Sequence, residues 1–228
     1  MFTYDIEVVD RHYKEYEVQR MATDTVFSII DPDLRGRMHA RALADEMHAS
    51  LAIEDEKISY DSVYSSICRR LDIKLEIKAK RDDYAESIST IALDATGNLD
   101  PLNSERIKTW HTLLFSSMAG RKPKIIGSYR QGPVYITKTR GNKSETIYEG
   151  IPVERISQEM EKLIQFINEE NETKPLIKGA IAAFWFLCIH PFEDGNGRVS
   201  RAISDYILSK GFHETHRVFS MSALILEY

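Results

Sequence analysis

Apolar residues recur every three or four positions along most of this chain, which is the spacing of helices with one buried face. The clearest stripe places Leu43, Met47 and Leu51 at intervals of four. Stripes of this kind and their capping residues predict helices over 8–30, 38–54, 61–71, 84–93, 103–115, 153–169 and 175–189, with a last one after 196. The chain is therefore expected to be mainly α-helical, with about eight helices.

One stretch departs from the helical spacing. The segments 134–137 and 146–148 are rich in β-branched and aromatic residues, and Gly141-Asn142 lies between them. This combination predicts a β-hairpin with a rather long loop.

The charged stretch 72–82 is the best candidate for a domain boundary, because no linker rich in Gly, Ser or Pro occurs elsewhere. We expect an N-terminal helical extension over 1–82 and a core over 83–228. The sequence ends inside an apolar run, at Leu226-Glu227-Tyr228, which leaves room for a further C-terminal segment.

The composition is ordinary for a globular protein, with 43% hydrophobic and 29% charged residues among 228. A net charge of -5 argues against a general nucleic-acid binder. Cys68 and Cys188 are far apart and suit buried, reduced thiols rather than a disulfide framework or a zinc site. No run approaches the ~20 apolar residues of a membrane span, and the N-terminus lacks the pattern of a signal peptide, so we expect a cytoplasmic protein.

Twelve residues from His190 to Arg201, His-Pro-Phe-Glu-Asp-Gly-Asn-Gly-Arg-Val-Ser-Arg, separate an apolar run from an amphipathic one. This order predicts a buried helix, a polar loop and the start of a second helix. Glycines let the main chain approach a ligand closely, and a helix N-terminus presents unpaired N–H groups to phosphate. Arg198 and Arg201 are three apart, so both guanidinium groups can bind phosphates from one helix face.

Two more residues of this stretch complete the candidate chemistry. Mg²⁺ usually binds one or two carboxylates together with phosphate oxygens and water, which suits Asp194. The ring of His190 can act as a general base near neutral pH. Alone, a histidine at a helix end or an Asn-Gly pair is more often structural, but few structural needs demand all these residues in one register. The chain has neither a Walker A loop nor a His-Glu-x-x-His zinc motif.

The stretch resembles the Fic family signature, His-Pro-Phe-x-Asp/Glu-Gly-Asn-Gly-Arg-x-x-Arg, at every fixed position. The resemblance extends over roughly 100–215. It implies a helical bundle with a β-hairpin flap beside the active site. It also implies transfer of AMP from ATP to a Ser, Thr or Tyr hydroxyl of a target protein, with Mg²⁺ as cofactor.

The resemblance assigns a role to each matching residue. His190 would deprotonate the target hydroxyl, and Asp194 would hold Mg²⁺ between the α- and β-phosphates. An anion cradle would form from Gly195, Asn196 and Gly197. Arg198 would bind the α/β-phosphate region and Arg201 the γ-phosphate. The hairpin residues Val134, Tyr135 and Ile136 would bind the target by strand addition, although the hairpin suits a packed surface ribbon equally well.

Ser50 and Glu54 are four apart on the predicted helix 38–54 and so share one face. A solvated glutamate in the last turn of a helix is the plainer interpretation. The stretch also resembles the inhibitory motif of Fic proteins, Ser/Thr-x-x-x-Glu-Gly/Asn, in which the glutamate pairs with the second arginine of the signature. Glu54 would then pair with Arg201 and occupy the γ-phosphate position. Asp55 stands where the family has Gly or Asn, so we expect a weaker helix stop there.

Two other functions stay open. The same site could remove AMP from proteins or transfer another phosphate-containing group, or the chain could be a regulatory module that binds nucleotide without turnover. The resemblance implies two partners, ATP and a target protein. We expect no binding to membranes or nucleic acid, and whether the chain forms a homo-oligomer is left open.

Overall fold

The computed structural model of this chain describes residues 5–75, 79–118, 120, 122–140, 143–170, 173–212 and 219–227. Within these ranges lie nine α-helices and one two-stranded antiparallel hairpin, which confirms the mainly helical fold with a β-hairpin. The helices are α1 (Ile6–Ile29), α2 (Pro32–Ala52), α3 (Tyr60–Arg70), α4 (Asp83–Gly97), α5 (Ser104–Ser116), α6 (Ile156–Asn168), α7 (Pro175–Ile189), α8 (Asn196–Gly211) and α9 (Met221–Glu227). The strands are β1 (Tyr135–Arg140) and β2 (Lys143–Glu149), and a 3₁₀ turn at Val153–Arg155 precedes α6.

Several helix ends differ from the prediction because of local capping. The side chain of Asp31 accepts hydrogen bonds from the N–H groups of Asp33 and Leu34, so α2 begins at Pro32 rather than at 38. The helix α3 begins at Tyr60 rather than at 61, because the side chain of Ser59 accepts a hydrogen bond from the Ser62 N–H. The helix α9 was not predicted.

The C-terminal end of α2 corrects a second expectation. The helix ends at Ala52 rather than 54, and Asp55 takes the left-handed conformation with φ of 58°. The family pattern has Gly or Asn at this point, and aspartate tolerates the same region. The Glu56 N–H donates to the Leu51 carbonyl at 3.0 Å and closes the turn, so Asp55 allows a firm helix stop.

The hairpin is tighter than expected. β1 ends at Arg140 and β2 begins at Lys143, and Gly141 and Asn142 lie outside the described residues. Val134 comes just before β1, and the register shifts between Ile136 and Thr137, which marks a bulge.

The core surrounds α8, which packs against α7, α4, α5 and α2. Its largest buried side chains include Trp110, Phe115, Phe186 and Tyr206. Burying a side chain of this size contributes about 1.5–3 kcal/mol each, so the α7–α8 pair is firmly fixed. The loop that joins these two helices is the stretch from His190 to Gly195.

The N-terminal helices α2 and α3 pack on α4, and their apolar residues join the same hydrophobic cluster as the α7–α8 core. The division of the chain at residue 82 stays a prediction. Across the described ranges, no helix combines the length and apolarity needed to cross a membrane.

Glu46, which is fully buried on α2, anchors α9. Its carboxylate accepts hydrogen bonds from the Ser220 hydroxyl at 3.0 Å, from the Ser222 N–H at 3.0 Å and from the Ser222 hydroxyl. A carboxylate at a helix N-terminus is stabilised by the unpaired N–H groups there, so Glu46 connects α9 to α2.

We predict that Glu46→Ala lowers the free energy of unfolding by about 2 kcal/mol, because buried donors of Ser222 lose their acceptor. Urea denaturation measures this loss. Glu105→Ala, which removes a carboxylate whose side chain is 83% exposed, serves as the control. Equal stability of the two variants would contradict the anchoring role of Glu46.

Candidate functional site

The loop between α7 and α8 is fixed by two residues with positive φ. His190 ends α7 in the left-handed conformation, with φ of 49°, and Gly195 caps α8 with φ of 78°. A Cβ on Gly195 would also come within 3.0 Å of the Phe115 ring. These two turns place His190 and the N-terminus of α8 at the same end of the α7–α8 pair.

Asn196 holds the loop in this shape. Its side-chain oxygen accepts from the Phe192 N–H at 3.0 Å, and its side-chain nitrogen donates to the Phe192 carbonyl at 2.9 Å. Phe192 is fully buried below them. The side-chain amide of Asn196 thus holds the loop through both its oxygen and its nitrogen, and a contact of Asn196 with an anion stays a prediction.

His111 on α5, which the sequence analysis missed, supports the loop from below. Its Nδ1 accepts from the Gly127 N–H at 2.9 Å, so Nε2 carries the proton and donates to the Asp194 carbonyl at 3.1 Å. The ring stacks on Phe192 with centroids 4.0 Å apart. Burial lowers the pKa of His111 to about 4, so the neutral ring that this pattern requires persists at neutral pH.

Glu193 also has a structural role. Its carboxylate accepts from the N–H groups of Lys124 and Ile125, at 2.8 and 3.2 Å. It therefore points away from the N-terminus of α8 and ties the segment after α5 to the loop.

One ring nitrogen of His190 carries the proton and the other carries the lone pair. Its Nδ1 lies 3.3 Å from the Leu187 carbonyl, which can only accept, so Nδ1 carries the proton. The lone pair of the neutral ring is then on Nε2. Burial lowers the pKa of His190, and the nearby guanidinium of Arg130 acts in the same direction. The base form is therefore favoured at neutral pH.

Asp194 presents the exposed carboxylate of the site, with its side chain 56% exposed. Its Oδ1 accepts from the Gly195 N–H at 2.6 Å and lies 3.4 Å from Arg198 Nη2. Across the described residues, no three side chains of the types His, Cys, Asp and Glu cluster as a metal site. A single exposed carboxylate fits a Mg²⁺ ion that also binds phosphate oxygens and water.

Arg201, on the first turns of α8, contacts the end of α2. Its Nε donates to the Ser50 hydroxyl at 2.7 Å, and its Nη2 donates to the Ser50 carbonyl at 2.8 Å and to Glu54 Oε1 at 2.9 Å. The carboxylate of Glu54 lies directly over Gly197, where an added Cβ would overlap Oε1. The structure thus brings Ser50, Glu54, Gly197 and Arg201 together at the N-terminus of α8.

Arg198 has a carboxylate partner from the same segment, which the sequence analysis missed. Its side chain is 4% exposed, and its Nη1 donates to Glu56 Oε1. The other Glu56 oxygen accepts from the Tyr84 hydroxyl at 2.6 Å, and the guanidinium lies 5.0 Å from the centroid of the Phe115 ring. Glu54 and Glu56 therefore reach the two arginines of α8 from one turn.

The hairpin lies beside His190. Tyr148 on β2 donates its hydroxyl to the Cys188 carbonyl at 2.5 Å, near the end of α7. Tyr135 and Ile136 are 52% and 41% exposed, and within the described residues β1 pairs only with β2. This leaves one edge of β1 with main-chain groups for another strand, and target binding by Val134, Tyr135 and Ile136 stays a prediction.

Family models match two parts of the chain. The model described as Fic/DOC family matches residues 101–208, and one described as a domain of unknown function (DUF4172) matches residues 1–73. The first match contains the whole stretch from His190 to Arg201.

Solved structures share the fold at low sequence identity. A Fic family protein from Desulfovibrio desulfuricans G20 is 24% identical, with a TM-score of 0.59 over 91% of this chain and 58% of its own. A Fic domain containing signaling protein from Bacteroides thetaiotaomicron VPI-5482 is 18% identical, with a TM-score of 0.61 over 84% and 71%. Fic-1 from C. elegans is 18% identical, with a TM-score of 0.56 over 90% and 58%. This chain therefore spans little more than half of the Desulfovibrio chain.

We predict that Glu56→Ala lowers the free energy of unfolding by about 3 kcal/mol, since it leaves the buried guanidinium of Arg198 without its carboxylate. Urea denaturation measures the change. Glu56→Gln, which keeps the side-chain size and an acceptor oxygen, should lose less. If Glu56→Ala is as stable as the parent, the ion pair does not hold Arg198 in place.

Proposed function

Because residues 101–208 form a Fic/DOC-family domain, we propose that this chain transfers AMP from ATP to a hydroxyl side chain of a target protein. We further propose that its own N-terminal segment inhibits this reaction. The observation that carries the proposal is the contact of Arg201 with Ser50 and Glu54, over the helix N-terminus that faces His190. The geometry supports both a transfer site and a competitor for it.

The transfer is a single displacement at the α-phosphorus. Nε2 of His190 takes the proton of the target hydroxyl while the hydroxyl oxygen attacks the α-phosphorus. The bond from the α-phosphorus to the oxygen that bridges the α- and β-phosphates then breaks. AMP stays on the target and pyrophosphate leaves with the electron pair of that bond. Positioning by the loop and charge stabilisation by the N-terminus of α8 lower the barrier.

Binding of the phosphates would use several groups that now contact the end of α2 and the turn after it. The main chain at Gly195 and Gly197 and the side chains of Arg198 and Arg201 would neutralise the polyphosphate. The Asp194 carboxylate would hold the Mg²⁺ that arrives with ATP and offsets charge on the leaving pyrophosphate.

Glu54 competes with this ligand by charge and by position. Its carboxylate takes a donor of Arg201 and covers Gly197, so a γ-phosphate cannot use the same space. Glu56 binds Arg198 in the same way. Productive ATP binding therefore requires the turn after α2 to withdraw from α8.

We predict that Glu54→Gly raises self-labelling from ATP with Mg²⁺ roughly 10-fold or more, because a competing charge-assisted hydrogen bond is worth about 1.5–3 kcal/mol. Incorporation of α-labelled ATP measures the rate. Asp55→Gly is the matched control, since it removes the neighbouring carboxylate at a left-handed position that suits glycine.

His190→Ala should abolish labelling both in the parent and in the Glu54→Gly variant. If Glu54→Gly labels no more than the parent while His190→Ala still abolishes labelling, the inhibitory role of Glu54 is wrong. Unchanged labelling by His190→Ala would remove His190 from the mechanism.

The pH dependence of the Glu54→Gly variant tests the base. Since burial lowers the pKa of His190, the neutral ring persists below the ordinary histidine pKa. The labelling rate at saturating ATP should therefore stay constant as pH falls to about 6.5 and decline only below it. An inflection above the ordinary value would contradict the assignment of His190 as the base.

A further inference from the structure

Arg130 is a buried cation for which neither the signature nor the proposed transfer accounts. Its side chain lies in the segment before β1, and the residue is 2% exposed. Among the described residues, the hydrogen bonds of its guanidinium all go to main-chain carbonyl oxygens. Burial lowers the pKa of this arginine. A cation is buried in this manner only where several oriented acceptors compensate for its lost hydration.

Its acceptors belong to two parts of the site. Nη1 donates to the Gly132 carbonyl at 2.7 Å, before β1, and Nη2 donates to the Ile151 carbonyl at 2.6 Å, after β2. Nε donates to the His190 carbonyl at 2.7 Å. One planar group thus joins both ends of the hairpin to the residue that carries the base.

The main chain of Arg130 adds to this connection, because its N–H donates to the Pro191 carbonyl at 2.8 Å. The last carbonyls of α7 have no partner within the helix, and His190 is in a left-handed conformation that costs free energy for a non-glycine residue. The hydrogen bonds of Arg130 offset that cost at the point where it arises.

We propose that Arg130 is a positioning residue that fixes the hairpin and His190 relative to each other. The inference rests on the proposed function, since it assigns the hairpin to the target and His190 to its hydroxyl. Arg130 acts through the main chain of both and does not touch the reacting atoms. Lysine keeps the charge but lacks the planar fork, so it cannot serve three carbonyls in these directions.

The test compares two arginines in the Glu54→Gly background. Arg130→Lys is measured beside Arg106→Lys, because Arg106 also donates to main-chain carbonyls, those of Asp94 and Asn98 at 2.6 and 2.8 Å. Arg106 belongs to the α4–α5 packing, away from the loop. Self-labelling at saturating ATP, the dissociation constant for ATP and the melting temperature are measured for each variant.

Arg130→Lys should lower the labelling rate roughly 100-fold, the effect expected when a reacting group moves by about 1 Å. Its dissociation constant for ATP should stay that of the parent, because the arginines of α8 are untouched. Arg106→Lys should lose stability and keep the labelling rate. If Arg130→Lys labels at the parent's rate, or loses ATP affinity in proportion to rate, the positioning role is overturned.

Gly150→Ala is a second variant that keeps the arginine. An added methyl would lie 2.5 Å from Val134 Cγ1 and 2.9 Å from Arg130 Nη2, so both side chains must shift while the charge of Arg130 is kept. It should lower the labelling rate in the same pattern. An unchanged rate would count against the proposal even if Arg130→Lys fails to fold.

Hydrogen exchange separates this inference from the proposed function. In Arg130→Lys or Gly150→Ala, exchange should rise together in peptides covering 130–136, 149–152 and 188–193. This result would support the connection even if the Glu54→Gly parent transfers nothing, in which case the proposed function alone fails. If exchange becomes faster at the hairpin but stays at the parent's rate in 188–193, the connection is overturned.

Discussion

The site depends on one constraint, that the chain must turn sharply twice between two helices that pack against each other. The positive φ values of His190 and Gly195 make these turns, and a positive φ is costly for histidine. The loop keeps this shape because Asn196 binds the main chain of Phe192 while His111 and Glu193 bind the segment after α5. As a result, a titratable ring and the N-terminus of a helix face the same space.

That space favours anions, and carboxylates of the same chain occupy it. The unpaired N–H groups of α8 and two arginines form a positive region, and Glu54 and Glu56 are the carboxylates that meet it. Both come from the short turn after α2, whose shape depends on the left-handed conformation of Asp55. Under the proposed function, the turn and a polyphosphate would compete for this one set of donors, and the packing of α2 against α3, α4 and α9 would favour the turn.

Most of what the sequence predicted correctly depends on neighbouring residues. The signature from His190 to Arg201 is contiguous, and the helical stripes and the hairpin follow from local periodicity. Glu56, Arg130 and His111 could not be predicted, because their partners lie 142, 60 and 83 residues away in the chain and no local pattern joins them. The start of α2 was predicted six residues too late for a local reason. Asp31-Pro32 ends one helix and also begins the next, because Asp31 caps α2 and Pro32 is its first residue.

We propose that this site transfers AMP from ATP to protein and that the turn after α2 inhibits the transfer. The most direct measurement incubates Glu54→Gly with ATP labelled either at the α- or at the γ-phosphate and follows both labels. If the site transfers AMP, the α-label becomes bound to protein while an equal amount of γ-label appears as pyrophosphate. Protein-bound γ-label, or pyrophosphate release with no label on protein, would contradict it.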